Sequence, residues 1–140
     1  VKAGMTENDI AAEVAYISKK LGSEGEGFET IVASGVRGAL PHGRASNKII
    51  RHGELVTLDF GCRVRGFYSD VTRTFAVGEP PMFDRAIFSL VLLANEEAIA
   101  TARGGMKVAA IDAAARDIIA EAGYAEEFAH GLGHGLGREV

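Results

Sequence analysis

Residues 54–78, ELVTLDFGCRVRGFYSDVTRTFAVG, carry the pattern of a β-hairpin. Two runs rich in Val, Thr, Phe and Tyr flank a short break that contains glycine, which is the usual signal for two strands joined by a turn. With Val64-Arg65 as the two-residue turn, Asp59 on the first strand lies directly opposite Asp70 on the second. Directly opposed residues have Cβ atoms roughly 5 Å apart, so the hairpin predicts a close pair of carboxylates.

This carboxylate pair indicates a metal site, because like charges raise each other's pKa unless a cation lies between them. Carboxylate oxygens suit hard divalent cations. Side-chain alternation places Asp59 and Asp70 on a polar face. The opposite, apolar face is predicted to be the core face and consists of Val56, Leu58, Phe60, Phe67, Val71 and Phe75.

Two alternatives to the metal pair stay open. Asp59 and Asp70 could be ordinary acids on a solvated face. Val64-Arg65 is also poor chemistry for a type I′ turn, so a bulge there could shift the register by one residue and separate the pair.

Composition indicates a single globular domain, since the 140 residues are 47% hydrophobic and 24% charged. A net charge of −4 without a basic run argues against nucleic acid as a partner. No apolar run is long enough for a membrane span, and we expect no signal peptide. The lone Cys62 cannot form an internal disulfide, which fits a reducing compartment, so we expect a cytoplasmic protein.

The remaining elements predict an α+β fold. A helix over residues 1–22, with Thr6 as its N-cap, precedes a strand over 28–34 and a glycine-rich loop over 35–48. After the hairpin come helices over 82–102 and 108–122, then a glycine-rich segment, 131–137, expected to be an extended loop or bulged strand. The large apolar residues of the first of these two helices include Phe88, Leu92 and Ile99.

An internal repeat links the first and third helices. Gly4-Met5 recurs as Gly105-Met106, and Gly22 recurs as Gly123 at the same offset. The apolar stripe of the first helix recurs in the third at that offset too, so we expect a duplicated α+β unit. The second copy's hairpin would then lie beyond Val140.

The histidines fall into two groups that could carry chemistry. His130 and His134 lie among glycines, which let a backbone approach a site closely, and in an extended segment they share one face. His42 follows a proline in the glycine-rich loop, where a core position is not expected, and a loop histidine taken by itself is more often solvated than functional. Two aspartates and a histidine make a reasonable partial ligand shell for Mn, Co, Zn or Fe.

Three segments together resemble a known family: SGVRGALPHGRASNKII (34–50), LDFGCRVRGFYSDVTRTFAVG (58–78) and HGLGHGLGREV (130–140). They are similar to the catalytic domain of the M24 metallopeptidases, and within it to the Xaa-Pro peptidases, aminopeptidase P and prolidase. The resemblance implies the pita-bread (creatinase/aminopeptidase) fold, of which residues 1–140 would be the first half and the start of the second pseudo-repeat. It also implies a partial catalytic domain, without the N-terminal domain and the C-terminal part of the family.

The resemblance implies a role for each candidate residue. Asp59 matches the carboxylate that chelates one metal, Asp70 the one that bridges both, and His134 the histidine ligand of the second metal. His42 and His130 match histidines that line the substrate pocket and steady the scissile bond. The implied cofactor is a pair of divalent ions, Mn first with Co or Zn as alternatives. The implied reaction is hydrolysis of Xaa-Pro bonds in proline-containing peptides by a water that the dinuclear centre activates.

The family's remaining metal ligands are glutamates downstream of the histidine motif, beyond Val140, so we expect these 140 residues to be inactive or nearly so alone. An uncovered hairpin edge is a liability for unwanted pairing, and we expect a homodimer. Two other functions stay open, because fold does not fix function. One is a metal-free peptide-binding or chaperone-like module, and the other is a creatinase-like hydrolase that acts on a C–N bond.

Overall fold

A computed structural model describes the whole chain, residues 1–140. The helices are α1 (Glu7–Lys20), α2 (Met82–Thr101) and α3 (Val108–Glu121), and Gly35–Ala39 form a short 3₁₀ helix. The strands are β1 (Gly25–Glu26), β2 (Ile31–Ser34), β3 (Leu55–Phe60), β4 (Cys62–Val64), β5 (Phe67–Tyr68) and β6 (Val71–Ala76). Residues 1–81 with 135–140 make one compact unit, and residues 82–134 make a second. These helices and antiparallel strands confirm the α+β class.

Helix α1 is delimited by local signals at both ends. Thr6 and Asp9 form a capping box, in which the Thr6 Oγ1 accepts from the Asp9 N–H at 3.1 Å and the Asp9 carboxylate accepts from the Thr6 N–H at 2.7 Å. At the other end Gly22 has a φ of +102°, and the Ser23 N–H donates to the Ser18 carbonyl at 3.0 Å. The helix therefore begins at Glu7, directly after its N-cap Thr6, and not at Val1 as the sequence predicted.

Helix α3 repeats the length and the flanking glycines of α1, although its N-cap residue, Lys107, makes no side-chain cap hydrogen bond. Both helices have 14 residues. A glycine with positive φ precedes each one, Gly4 at 93° and Gly105 at 86°, and another follows, Gly22 at 102° and Gly123 at 89°. The repeat that the sequence predicted is present in both helices and their flanking turns.

Two small antiparallel sheets share the long hairpin. Strand β3 lies between β2 and β6 in one sheet, and β4 lies between β1 and β5 in the other. Strand β2 is buried at every residue: its first three residues are apolar, and the buried Ser34 at its end is hydrogen-bonded. The hairpin thus begins in one sheet and its tip belongs to the other.

The core of the first unit lies where α1 meets the β2-β3-β6 sheet. Its buried members are Ile10, Val32, Ile50, Val56 and Val77. Val56 is fully buried, and Leu58 and Phe75 pack against this cluster, which confirms that part of the predicted core face. The prediction is wrong for Phe67 and Val71, which are 58% and 37% exposed because they lie further along the hairpin than the core cluster extends.

The second unit packs α2 against α3 through small side chains. Its buried residues are Ala94, Ala98, Ala115 and Ile119. Small residues at a helix contact shorten the distance between the axes. The large apolar residues of α2 do not form the buried face, since Leu92 and Ile99 are 45% and 65% exposed. None of the three helices combines the length and the hydrophobicity needed to cross a lipid bilayer.

Gly61 lies at the junction of β3 and β4, where the backbone of the opposing strand comes closest. Its carbonyl accepts from the Gly27 N–H at 2.8 Å. A Cβ at this position would collide with the Ser69 carbonyl oxygen and would lie 2.6 Å from the Phe28 ring. The hairpin can therefore change sheets here only with a residue that has no side chain.

We expect Gly61→Ala to lower the free energy of unfolding by about 1–3 kcal/mol, because backbone and ring must both shift. Gly104→Ala is the matched control, since nothing lies within 4 Å of a Cβ there. Its effect should stay within about 1 kcal/mol. Urea denaturation followed by circular dichroism measures both values, and a Gly61→Ala variant as stable as Gly104→Ala would contradict the steric argument.

Candidate functional site

The hairpin turn consists of Arg65 and Gly66, which have φ values of 52° and 75°. Positive φ at both central residues defines a type I′ turn, and a β-branched valine resists that conformation. The Glu24 carboxylate accepts from the Arg65 N–H at 2.6 Å and stabilises the turn from the side. The prediction of a Val64-Arg65 turn is therefore wrong by one position.

Moving the turn by one position changes every cross-strand partner by two. Asp59 lies opposite Thr72 instead of Asp70, so the predicted direct opposition of the two aspartates is wrong. The same register, continued toward the turn, brings Asp70 opposite Gly61, just before β6 begins. Asp59 and Asp70 are then diagonal neighbours, which on a regular ladder lie roughly 7–8 Å apart.

A shift of two residues leaves the faces of the strands unchanged. The polar face is confirmed: the Thr57 and Thr74 hydroxyls lie 3.1 Å apart on it, in the ladder position next to Asp59 and Thr72. The Thr72 Oγ1 donates to the Asp59 Oδ1 at 2.8 Å, which orients that carboxylate. Asp59 and Asp70 therefore belong to one half-buried polar surface of the hairpin.

His42 lies in the loop after the 3₁₀ helix, and its side chain is exposed. Two backbone hydrogen bonds shape the loop, from the Gly43 N–H to the Leu40 carbonyl at 3.1 Å and from the Arg44 N–H to the His42 carbonyl at 2.8 Å. Gly43 is buried, and a Cβ there would lie 2.9 Å from the Ala33 side chain. The loop therefore presents His42 outward while its neighbour packs against β2.

A buried carboxylate that sequence reasoning missed holds this loop. Glu7 is fully buried and accepts hydrogen bonds from the Ser34 N–H and hydroxyl, both at 2.8 Å, and from the Ser46 hydroxyl at 2.6 Å. The Arg37 Nε lies 3.1 Å from it, and the Arg37 Nη2 donates to the Arg44 carbonyl at 2.7 Å. Glu7 thus ties the helix, the strand and both ends of the His42 loop together. In the sequence it looks like an ordinary acid in a first helical turn.

The pKa of Glu7 lies below its ordinary value. Burial, the largest single influence, acts to raise the pKa, but the hydrogen bonds from Ser46 and Ser34 and the charge of Arg37 together outweigh it. The neighbouring Lys48 extends the network, with its Nζ 2.8 Å from the Ser34 hydroxyl and 2.7 Å from the Glu54 carboxylate. Glu7 is therefore ionised at neutral pH despite its burial.

His130 and His134 lie in the second unit, in a segment without regular secondary structure. This agrees with the extended loop predicted for the glycine-rich run. The His130 ring meets the Phe128 ring edge to face, with 5.0 Å between the centroids, and its Nδ1 lies 2.8 Å from the Gly131 carbonyl. Both histidine side chains are exposed.

Comparison with known proteins decides the family. The chain matches the model of metallopeptidase family M24 over residues 1–140. The chain belongs to metallopeptidase family M24.

Relatives within the family are similar over the whole chain. An Xaa-Pro dipeptidase of Pyrococcus horikoshii is 46% identical over 140 residues, which are 100% of this chain and 40% of the relative. A prolidase structure from Pyrococcus furiosus superposes with a TM-score of 0.97 at 45% identity, over 100% of this chain and 42% of that one. An Xaa-Pro dipeptidase structure from Bacillus anthracis gives a TM-score of 0.98 at 43% identity, over 100% and 39%. These matches confirm the predicted pita-bread fold, and the chain spans about two fifths of the length of these relatives.

The structure brings the candidate residues of this M24 chain together only in part. Asp59 and Asp70 share one face of the hairpin in the first unit, and His130 and His134 share one segment of the second. Across residues 1–140, no group of three or more His, Cys, Asp or Glu side chains is arranged to hold a metal ion. The two aspartates supply hard oxygen ligands of the right chemistry, as part of a shell.

We expect Glu7→Gln to lower the free energy of unfolding at pH 7 by about 1–3 kcal/mol, because it removes charge-assisted hydrogen bonds from a buried site. The effect depends on pH in a defined direction. The folded pKa of Glu7 lies below its ordinary value of 4.5, so its ionisation stabilises the fold above pH 4.5, and this contribution is lost as the pH falls through the folded pKa.

The difference between wild type and Glu7→Gln should therefore narrow below pH 4.5. Thermal unfolding between pH 3 and pH 7, roughly the range in which carboxylates titrate, measures it. Glu13→Gln makes the same change at an exposed position on the same helix and should leave stability unchanged. A Glu7→Gln variant that behaves like Glu13→Gln would show that the network contributes nothing.

Proposed function

We propose that this chain forms part of the active site of an Xaa-Pro metallopeptidase. The observation that carries the proposal is the pair Asp59 and Asp70 on the polar face of the hairpin, in a chain of family M24. The relatives that are similar over its full length are named Xaa-Pro dipeptidase or prolidase, which supports the same substrate class.

Asp59, Asp70 and His134 are the residues that would hold divalent metal ions, with Mn first and Co or Zn as alternatives. Carboxylate oxygens and imidazole nitrogen suit each of these ions. When bound, such metals act as Lewis acids and lower the pKa of a water molecule. The hydrogen bond from the Thr72 hydroxyl to the Asp59 Oδ1, 2.8 Å long, orients this carboxylate.

His42 and His130 would bind the peptide beside the metals. Imidazole N–H groups aimed at a carbonyl oxygen stabilise the negative charge that develops on it during hydrolysis. Because a carbonyl only accepts, the contact with Gly131 assigns a proton to the Nδ1 of His130 and leaves Nε2 for the peptide. In the neutral ring Nε2 accepts a hydrogen bond from a peptide N–H, and only the doubly protonated ring donates from Nε2 to a carbonyl oxygen. Exposure of both side chains is consistent with this role.

The ability to cleave an Xaa-Pro bond is consistent with the chemistry of the substrate. Proline has no backbone N–H, so its tertiary amide offers one hydrogen-bond donor fewer than other peptide bonds. A site that acts on the carbonyl through metals and histidine side chains does not depend on that donor. Such a site can cleave an Xaa-Pro bond, which is bound poorly by proteases that hold the substrate backbone through β-strand hydrogen bonds.

The test is hydrolysis of an Xaa-Pro dipeptide by the longest natural form of the protein, with and without added Mn²⁺. We expect hydrolysis that depends on the metal, and a fall in kcat/KM of at least about a hundredfold in Asp70→Ala, since second-shell changes alone cost about 10–100-fold. Asp117→Ala removes the same charge from an exposed site on α3 and should keep full activity.

Calorimetric titration with Mn²⁺ separates binding from chemistry in the same variants. Loss of Mn²⁺ binding in Asp70→Ala but not in Asp117→Ala supports the assignment. Equal hydrolysis by wild type and Asp70→Ala would overturn it, and so would binding of the peptide without metal or cleavage, which is the behaviour of a metal-free binding module.

A further inference from the structure

Two charged residues of α3 contact the backbone of the His130 segment at three places. The Arg116 Nη1 donates to the Phe128 carbonyl at 2.7 Å, and the Arg116 Nη2 donates to the His130 carbonyl at 2.8 Å. The Leu132 N–H donates to the Asp112 Oδ1 at 2.8 Å. Every second residue of the segment is therefore held by the same pair.

The three contacts come from two side chains of one helix. Asp112 and Arg116 are four residues apart and so lie on one face of α3. Their side chains make a two-point contact, with Nε to Oδ2 at 2.7 Å and Nη2 to Oδ1 at 3.1 Å, which fixes the guanidinium plane.

The same guanidinium group also orients the aromatic side chains. The Arg116 Cζ lies 4.3 Å from the centroid of the Phe128 ring, and the His130 ring packs edge to face on that ring. The hydrogen bond from Arg116, followed by the one from the Leu132 N–H, lowers the pKa of Asp112 and keeps it ionised at neutral pH.

We propose that Asp112 and Arg116 are positioning residues that set the place and ring tautomer of His130 by holding the backbone from Phe128 to Leu132. The catalytic meaning of this clamp rests on the proposed function, in which His130 contacts the peptide. The clamp, meaning the contacts of Asp112 and Arg116 with this backbone, does not depend on the proposed function, because all of these contacts lie within this chain.

An alternative is that the pair only stabilises α3, as many exposed pairs with this spacing do. Nitrogen NMR of the His130 ring separates the two roles at a pH of about 8, where an ordinary histidine is neutral. The clamp predicts a ring with the proton on Nδ1, held by the Gly131 carbonyl, and a slow exchange rate for the Leu132 amide proton. If Asp112 and Arg116 act only within the helix, neither the tautomer of His130 nor the exchange rate of the Leu132 amide depends on them.

Arg116→Lys keeps the charge but loses the planar fork, so it cannot reach both carbonyls in one geometry. We expect it to lose the Nδ1–H signature of His130 and to raise the exchange rate of the Leu132 amide about tenfold or more. Asp112→Asn should have a smaller effect, because the amide oxygen can still accept from Leu132. Arg103→Lys is the matched control, since Arg103 donates to the carbonyl of its neighbour Ala102 in the same unit.

The proposal is overturned if Arg116→Lys and Asp112→Asn both leave the His130 tautomer and the Leu132 exchange rate at their wild-type values. It is also overturned if Arg103→Lys changes them as much. If Arg116→Lys loses its helical circular dichroism, Asp112→Asn decides. None of these measurements needs metal or substrate, so failure of the clamp and failure of the peptidase assignment are distinguishable.

Discussion

The fully buried carboxylate of Glu7 is the constraint on which the first unit depends. A buried charge is costly unless donors inside the protein replace its water. Those donors come from β2, from the 3₁₀ helix and from the loop that carries His42, through Ser34, Arg37 and Ser46. Satisfying one carboxylate therefore fixes α1, β2 and the His42 loop relative to one another, with Val32 and Ile10 completing the apolar side of the same contact.

The hairpin shows which part of a strand pair a single sequence determines. Which face a residue takes follows from its position along the strand, and this assigned Asp59 correctly to the polar face that it shares with Thr72. Which residue lies opposite depends on the turn. The turn residue Arg65 has a φ of 52°, and residues other than glycine adopt positive φ only rarely, so the sequence gives little indication of this turn. Because the turn lies one position later than predicted, Asp59 lies opposite Thr72. No side chain moves to the other face of the hairpin.

Helix ends were predictable where a local device sets them, as Thr6 and Gly22 do for α1. The buried face of α2 was not predictable, because it depends on the small residues that α3 presents. Ala94 and Ala98 are buried there in place of larger apolar residues of α2. Glu7 and Arg116 were also missed. In sequence each is an ordinary charged residue on a helix, and only the tertiary fold supplies the backbone groups that it binds.

The two histidine-bearing segments pose the same physical problem and solve it separately. Each is irregular backbone whose polar groups need partners, and each is held by an arginine paired with a carboxylate on the repeated helix. The anchors occupy different positions of the repeat, however. Val108 stands where α1 has Glu7 and is 82% exposed, and Ala11 stands where α3 has Asp112. The repeat therefore accounts for the two helices and the glycines that flank them, whereas the N-caps differ and each segment that carries candidate chemistry has its own charged anchor.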